Sequence, residues 1–145
     1  MPKPAIMLAS GSPEQLGEWA EMLKNCDLEI FFARSGEEAL AKIISQPVNL
    51  LVCDFTLPGI NGVELTQKVK KLFYGVKCLI LIYREEMRSY LLAIRKQTYF
   101  FPILYKPLER EVFVRRVNKL VKESPPRSEI SLRVEVAKKL AQMKK

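Results

Sequence analysis

The sequence predicts an α/β protein: a doubly wound parallel sheet made of five β-α units in order, followed by one extra helix. Three observations predict it. Strand-like and helix-like segments alternate along the 145 residues. Several of the strand segments are unbroken apolar runs, as parallel strands covered on both faces require. Helix-start signals stand between them, where the chain must turn back.

The strand candidates are residues 5–9, 28–32, 48–53, 76–83 and 101–105. The first helix starts at Ser12-Pro13-Glu14-Gln15, with a cap at Ser12, proline at the first helical position and Gln15 at the third, a capping-box spacing. Leu16, Trp19, Ala20 and Leu23 then form a helical apolar stripe. Ser35-Gly36-Glu37-Glu38 starts the second helix, which carries Ala39, Leu40, Ile43 and Ile44. Asn61 caps a third with Val63, Leu65, Val69 and Leu72. A fourth is expected over 86–97 and a fifth over 109–123, with Val112, Val117, Leu120 and Val121 inward.

Five such units with right-handed crossovers make an open sheet with helices on both faces. Pro102 in the fifth strand segment points to an edge position, because proline cannot donate to a central ladder. The flavodoxin-like strand order 2-1-3-4-5 places strand five at an edge, so residue and topology agree. Ser124-Pro125-Pro126 then breaks the chain. The expected organisation is a domain over 4–122, a linker over 123–127 and an amphipathic helix over 128–145. That helix carries Ile130, Leu132, Val134, Val136, Ala137, Leu140, Ala141 and Met143 on a broad arc, with Lys138, Lys139, Lys144 and Lys145 mostly elsewhere. It is too short to be stable alone and must bury the arc on its own domain, a second copy, a partner or a membrane surface.

Composition narrows the function. Nearly half the residues are hydrophobic, at 48%, so the chain has enough apolar material for a core. No apolar stretch is long enough to span a bilayer and the N-terminus lacks signal-peptide regions, so a cytoplasmic protein is expected. Cys26, Cys53 and Cys78 have no CxxC spacing and read as reduced thiols, two of them inside strands. With no histidine, imidazole acid-base catalysis and His-containing zinc patterns are excluded. Charge is uneven: residues 1–72 carry 7 Lys and Arg against 9 Asp and Glu, residues 73–145 carry 17 against 7. The basic second half suits an acidic partner, nucleic acid or an anionic membrane surface, or is simply a solvated face that keeps the protein in solution.

Asp54 is the chief candidate for chemistry. It ends the third apolar run, and ligands of open α/β sheets gather at the C-terminal ends of strands. Asp54 is followed by Leu57-Pro58-Gly59-Ile60-Asn61-Gly62-Val63-Glu64-Leu65, and Tyr105-Lys106-Pro107 follows the fifth strand. With these two motifs at this spacing, the chain resembles the response-regulator receiver domain of two-component signalling over about residues 4–122. The resemblance implies that Asp54 accepts a phosphoryl group from a histidine kinase. It further implies that Lys106 pairs with Asp54 and then with the phosphoryl oxygens, that Lys106–Pro107 is cis, and that Mg²⁺ is held with help from the Phe55 backbone carbonyl. Positioned cations are the main catalytic device for such a transfer.

The sequence departs from the family at three places. The two acidic residues expected after strand one fall on Ala9-Ser10 or Ser10-Gly11, and neither register supplies a carboxylate. Mg²⁺ usually takes one or two protein carboxylates, so its affinity here is expected to be much weaker. The Ser or Thr expected after strand four falls in Ile82-Tyr83-Arg84, which has no aliphatic hydroxyl, and the switch aromatic of strand five falls on Ile103. Two readings follow. In one, the protein is a pseudo-receiver in which Asp54 and Lys106 form a structural ion pair and function lies in protein contacts. In the other, Asp54 is still phosphorylated and Arg84 supplies charge in place of the metal.

The partner expected is a histidine kinase or a downstream signalling protein. A homodimer could form through helix four, strand five and helix five, or through the last helix. Non-specific nucleic-acid binding by the basic half is a further alternative, although no nucleic-acid-binding motif is present. A flavin site is disfavoured because Pro13 removes an amide from the loop after strand one. No enzymatic activity is expected.

Overall fold

The computed structural model of the chain describes residues 3–73 and 75–143. The strands are β1 (Ala5–Ala9), β2 (Glu29–Ala33), β3 (Leu50–Asp54), β4 (Lys77–Tyr83) and β5 (Ile103–Lys106). They form one parallel sheet in the order β2-β1-β3-β4-β5. The helices are α1 (Pro13–Met22), α2 (Gly36–Ser45), α3 (Gly62–Leu72), α4 (Met87–Ile94), α5 (Arg110–Glu123) and α6 (Arg127–Met143).

Strand periodicity splits the core in two. Ala5, Met7 and Ala9 of β1 face one layer with Ile43, Val63, Leu65 and Val69 of α2 and α3. Ile6 and Leu8 face the other, against Leu16 and Trp19 of α1 and Phe113 and Val117 of α5. All five residues of β1 and of β3 are buried, which is why both read as continuous apolar runs.

Local chemistry sets the helix starts. Ser12, Ser35 and Asn61 each accept an amide from three residues ahead, Gln15, Glu38 and Glu64. Between β3 and α3 the chain turns sharply at Gly59, whose φ of +77° suits glycine. A Cβ on Gly62 would stand 2.5 Å from the Asp54 carbonyl, so the loop can lie against the end of β3 only with glycine there.

Several expectations are corrected. Pro102 lies just outside β5, and its carbonyl accepts the Ile80 amide at 3.1 Å; proline meets the ladder here only as an acceptor. The fourth helix is shorter than expected and follows a separate 3-10 turn at Arg84–Glu86. Tight i→i−3 bonds at Arg95 and Gln97 end it early. Leu72 and Val112, expected inward, are exposed; Thr66 of α3 and Phe113 of α5 are buried instead.

The last helix starts at Arg127, one residue earlier than expected, just after the break at 124–126, and docks on the β1-α2-α3 layer through Ile130 and Val134, both buried. Leu132, Val136, Leu140 and Met143 remain exposed. Residues 144 and 145, expected in this helix, lie outside the described residues. Among the described residues no helix is long and apolar enough to cross a membrane.

Candidate functional site

Asp54 is the last residue of β3 and opposes Leu81 of β4, while Lys106 ends β5 opposite Tyr83. Strand order thus brings two residues 52 positions apart to the same end of the sheet. The Lys106 ammonium donates to Asp54 Oδ1 at 2.5 Å, and both side chains are nearly enclosed, at 6% and 4% exposed. The other carboxylate oxygen, Oδ2, accepts the Ser10 hydroxyl at 2.6 Å.

Gln15 closes the group. Its Oε1 accepts Lys106 Nζ at 2.9 Å, and its Nε2 reaches Ser10 Oγ and Asp54 Oδ2, both at 3.4 Å. The capping-box reading assigned this side chain to the Ser12 amide. That amide instead donates to Ser10 Oγ at 3.1 Å, which frees the Gln15 side chain for the site. Gln15 is the residue sequence reasoning missed. Its helix-start role is local and sufficient, and nothing in spacing ties residue 15 to residues 54 and 106.

Ala9 faces the core beside Met7 and Cys53, whereas Ser10 is the residue turned onto Asp54. Gly11 packs on Pro58, 3.0 Å from where its Cβ would be. A hydroxyl therefore stands against the carboxylate, and it donates to Asp54 rather than adding negative charge beside it.

The strand-four and strand-five positions are also placed. Ile82 is fully buried in the first core layer, against which Ile103 also packs. Tyr83 lays its ring over the Lys106 ammonium, 4.2 Å from the centroid. Arg84 stacks on Tyr105, its guanidinium 4.2 Å from the ring centre, and is not among the groups bonded to Asp54. The Lys106–Pro107 bond is cis. The Phe55 carbonyl accepts the Gly62 amide at 2.7 Å, within the β3-α3 turn. Thr56 donates to Glu86, whose other oxygen accepts the Tyr83 amide at 2.8 Å. Glu86 is a second residue that the spacing did not reveal.

Burial pushes the Asp54 carboxyl above its ordinary range. Hydrogen bonds from Lys106 and Ser10 and the Lys106 charge pull it back without cancelling the effect, and the Glu86 carboxylate adds to the rise. The donor set does not fit Mg²⁺. Asp54 is the only carboxylate in the bonded group, its oxygens are engaged by protein donors, and among the described residues no three acidic, cysteine or histidine side chains cluster. What the arrangement provides is a buried, closed ion pair, fixed by a hydroxyl and an amide.

Known proteins share this fold. The family of response regulator receiver domains matches residues 6–118. The uncharacterized transcriptional regulatory protein YbdJ of Bacillus subtilis (strain 168) is 29% identical over 101 residues, covering 69% of this chain and 43% of that protein. The chain thus spans less than half the length of that relative. A CheY-like response regulator receiver domain protein from Methanospirillum hungatei JF-1 superposes with a TM-score of 0.73 at 21% identity, over 84% of this chain and 96% of that one. The signal receiver domain of an HD domain-containing protein from Pseudomonas fluorescens Pf-5 gives 0.77 at 17% identity, over 85% and 90%. A structure described as adenylate cyclase from Rhodopirellula baltica gives 0.72 at 23% identity, over 99% of both chains. At these identities the structures share the fold.

Proposed function

The chain belongs to the response regulator receiver domain family of two-component signalling, and on that footing we propose that it is an atypical receiver that works through protein contacts, with Mg²⁺-dependent phosphorylation weak or absent. The observation that carries this reading is the closure of Asp54. Both carboxylate oxygens already hold protein donors, and Ser10 stands where an acidic partner would be needed. A buried pair of this kind resists disruption because removing one partner strands the other's charge.

The contact surface favoured is the face formed by α4, β5 and α5. Leu91, Leu92, Tyr105 and Val112 are exposed there among Arg88, Arg95 and Arg115. Apolar side chains ringed by cations suit a partner with an acidic, partly apolar surface, such as a kinase or a downstream signalling protein. Pairing of two copies through this face or through α6 is the alternative, distinguished by sedimentation of the protein alone.

A second reading keeps Asp54 as phosphoacceptor. Lys106 already sits on the carboxylate, and the Gln15 contacts to it are long, at 3.4 Å, so the closure could open at modest cost. Incubation with a small acyl-phosphate donor, with and without Mg²⁺, followed by intact mass, tests both. The proposal expects no adduct. A Mg²⁺-dependent gain of one phosphoryl group, lost in Asp54→Ala, would establish the second reading in its place.

A further inference from the structure

A second candidate site lies at the opposite end of the sheet from Asp54. An open cleft of about 570 Å³ is bounded by the start of β4, the segment 98–102 before β5, Lys70 of α3 and the second half of α5. Its size falls in the range of small-molecule sites. Buried Val76, Cys78 and Leu120 form the apolar base.

Two kinds of group converge on it. Lys77 comes from β4, Arg116 and Lys119 from positions three apart on α5, and Lys70 from α3. Glu123 is the one acidic residue in the lining. The ion pairs among the described residues use neither Lys77, Arg116 nor Lys119. Several cations gathered in a cleft with low-dielectric walls focus a field for anions. The field reaches the base: Lys70 and Lys77 both pull on the Cys78 thiol, which burial pushes up to about 12. The second kind of group is aromatic. Tyr99 and Phe100 stand at the rim, and Phe100 is 68% exposed. Their segment is held in place, since Gln67 donates to the Tyr99 carbonyl at 2.8 Å and the Lys70 ammonium lies 5.9 Å from the Tyr99 ring centre.

We propose that this cleft binds a nucleoside di- or triphosphate, its base stacked on the Tyr99–Phe100 rim and its phosphates held by Lys77, Arg116 and Lys119. The ligand must present several negative charges and a planar aromatic face together. Inorganic polyphosphate has only the first, and a free nucleoside only the second. Base stacking on exposed aromatics tolerates base identity, so adenine and guanine nucleotides are both expected to bind. The site does not depend on the Asp54 reading, because the two lie at opposite ends of the strands.

Calorimetric titration of the full chain at near-physiological salt tests the proposal, with ATP, GTP, tripolyphosphate and adenosine as probes. The expected result is one nucleotide per chain, with tripolyphosphate and adenosine each binding at least about tenfold more weakly. Phe100→Ala and Lys119→Gln, both exposed positions, should each weaken ATP binding by about tenfold. Arg116→Gln should do the same as Lys119→Gln if circular dichroism shows it folded. Absence of saturable ATP and GTP binding would overturn the proposal. So would equal affinity for ATP and tripolyphosphate with no effect of Phe100→Ala, which would mark the cleft as a charge patch alone.

Discussion

Asp54 has two oxygens and three donors around them, and its charge is opposed by burial and supported by Lys106 and Ser10. Burial is the larger effect, so the folded carboxyl holds its proton to higher pH than the unfolded one. The folded state therefore binds more protons through that window, and the contribution of Asp54 to stability falls as pH rises through it. Lys106→Met removes the chief group that holds the carboxyl down, which raises it further. The loss of stability should be about 3–5 kcal/mol at pH 7 and clearly smaller at an acid pH, where protonation of the carboxyl relieves the unpaired charge; urea unfolding at both values checks this. Equal losses at the two pH values would mean that Lys106 acts by packing alone. Gln15→Leu should open the group without removing a charge, so the Asp54 carboxyl should become more readily exchanged with solvent while the fold persists, read by side-chain carboxyl NMR. At this scale Asp54 and Lys106 were legible, since both stand in motifs at strand ends. Gln15 was not, because its side chain leaves a local helix-start role to join partners 39 and 91 positions away.

Helix α6 is tied to the sheet by one buried amide. Asn49 accepts the Ala5 amide at 2.9 Å with its oxygen, and its nitrogen donates to Ser124 Oγ and the Pro125 carbonyl at 3.1 and 3.0 Å. Arg127 adds bonds to Glu29 and to the Pro47 carbonyl. Asn49→Leu leaves the Ala5 amide buried without a partner, which should cost about 1–3 kcal/mol. Hydrogen exchange should then quicken in α6 while β3 and β4 stay protected; unchanged α6 exchange would show that Ile130 and Val134 suffice to hold it. Ile130→Ala, at a fully buried position, should cost about 2–5 kcal/mol in thermal or urea unfolding. The alternation of elements was legible because capping residues and apolar runs are local signals. Their inward faces were less so: Val112 and Phe113 are neighbours, and which one meets the core depends on the tertiary placement of α5.

At the scale of the molecule, the sheet has two differently built ends. One holds a closed ion pair, and the other an open basic cleft flanked by exposed aromatics. The net charge of +8 and its bias to the second half were legible from composition. Its concentration around the cleft was not, because residues 70, 77, 116 and 119 meet only once the sheet is wound. The missing acidic pair was legible, because residues 9–11 carry no carboxylate; that Ser10 is the residue turned onto Asp54, with Ala9 in the core, was not. In the proposed function, protein donors hold Asp54 closed in place of a metal. The most direct measurement follows the ¹³C resonance of the Asp54 carboxyl during a Mg²⁺ titration, in the natural protein and in Ser10→Asp. No saturable movement is expected in the natural protein, and a saturable one in Ser10→Asp, where a second carboxylate faces the first. Saturable movement in the natural protein at comparable Mg²⁺ would contradict this closure.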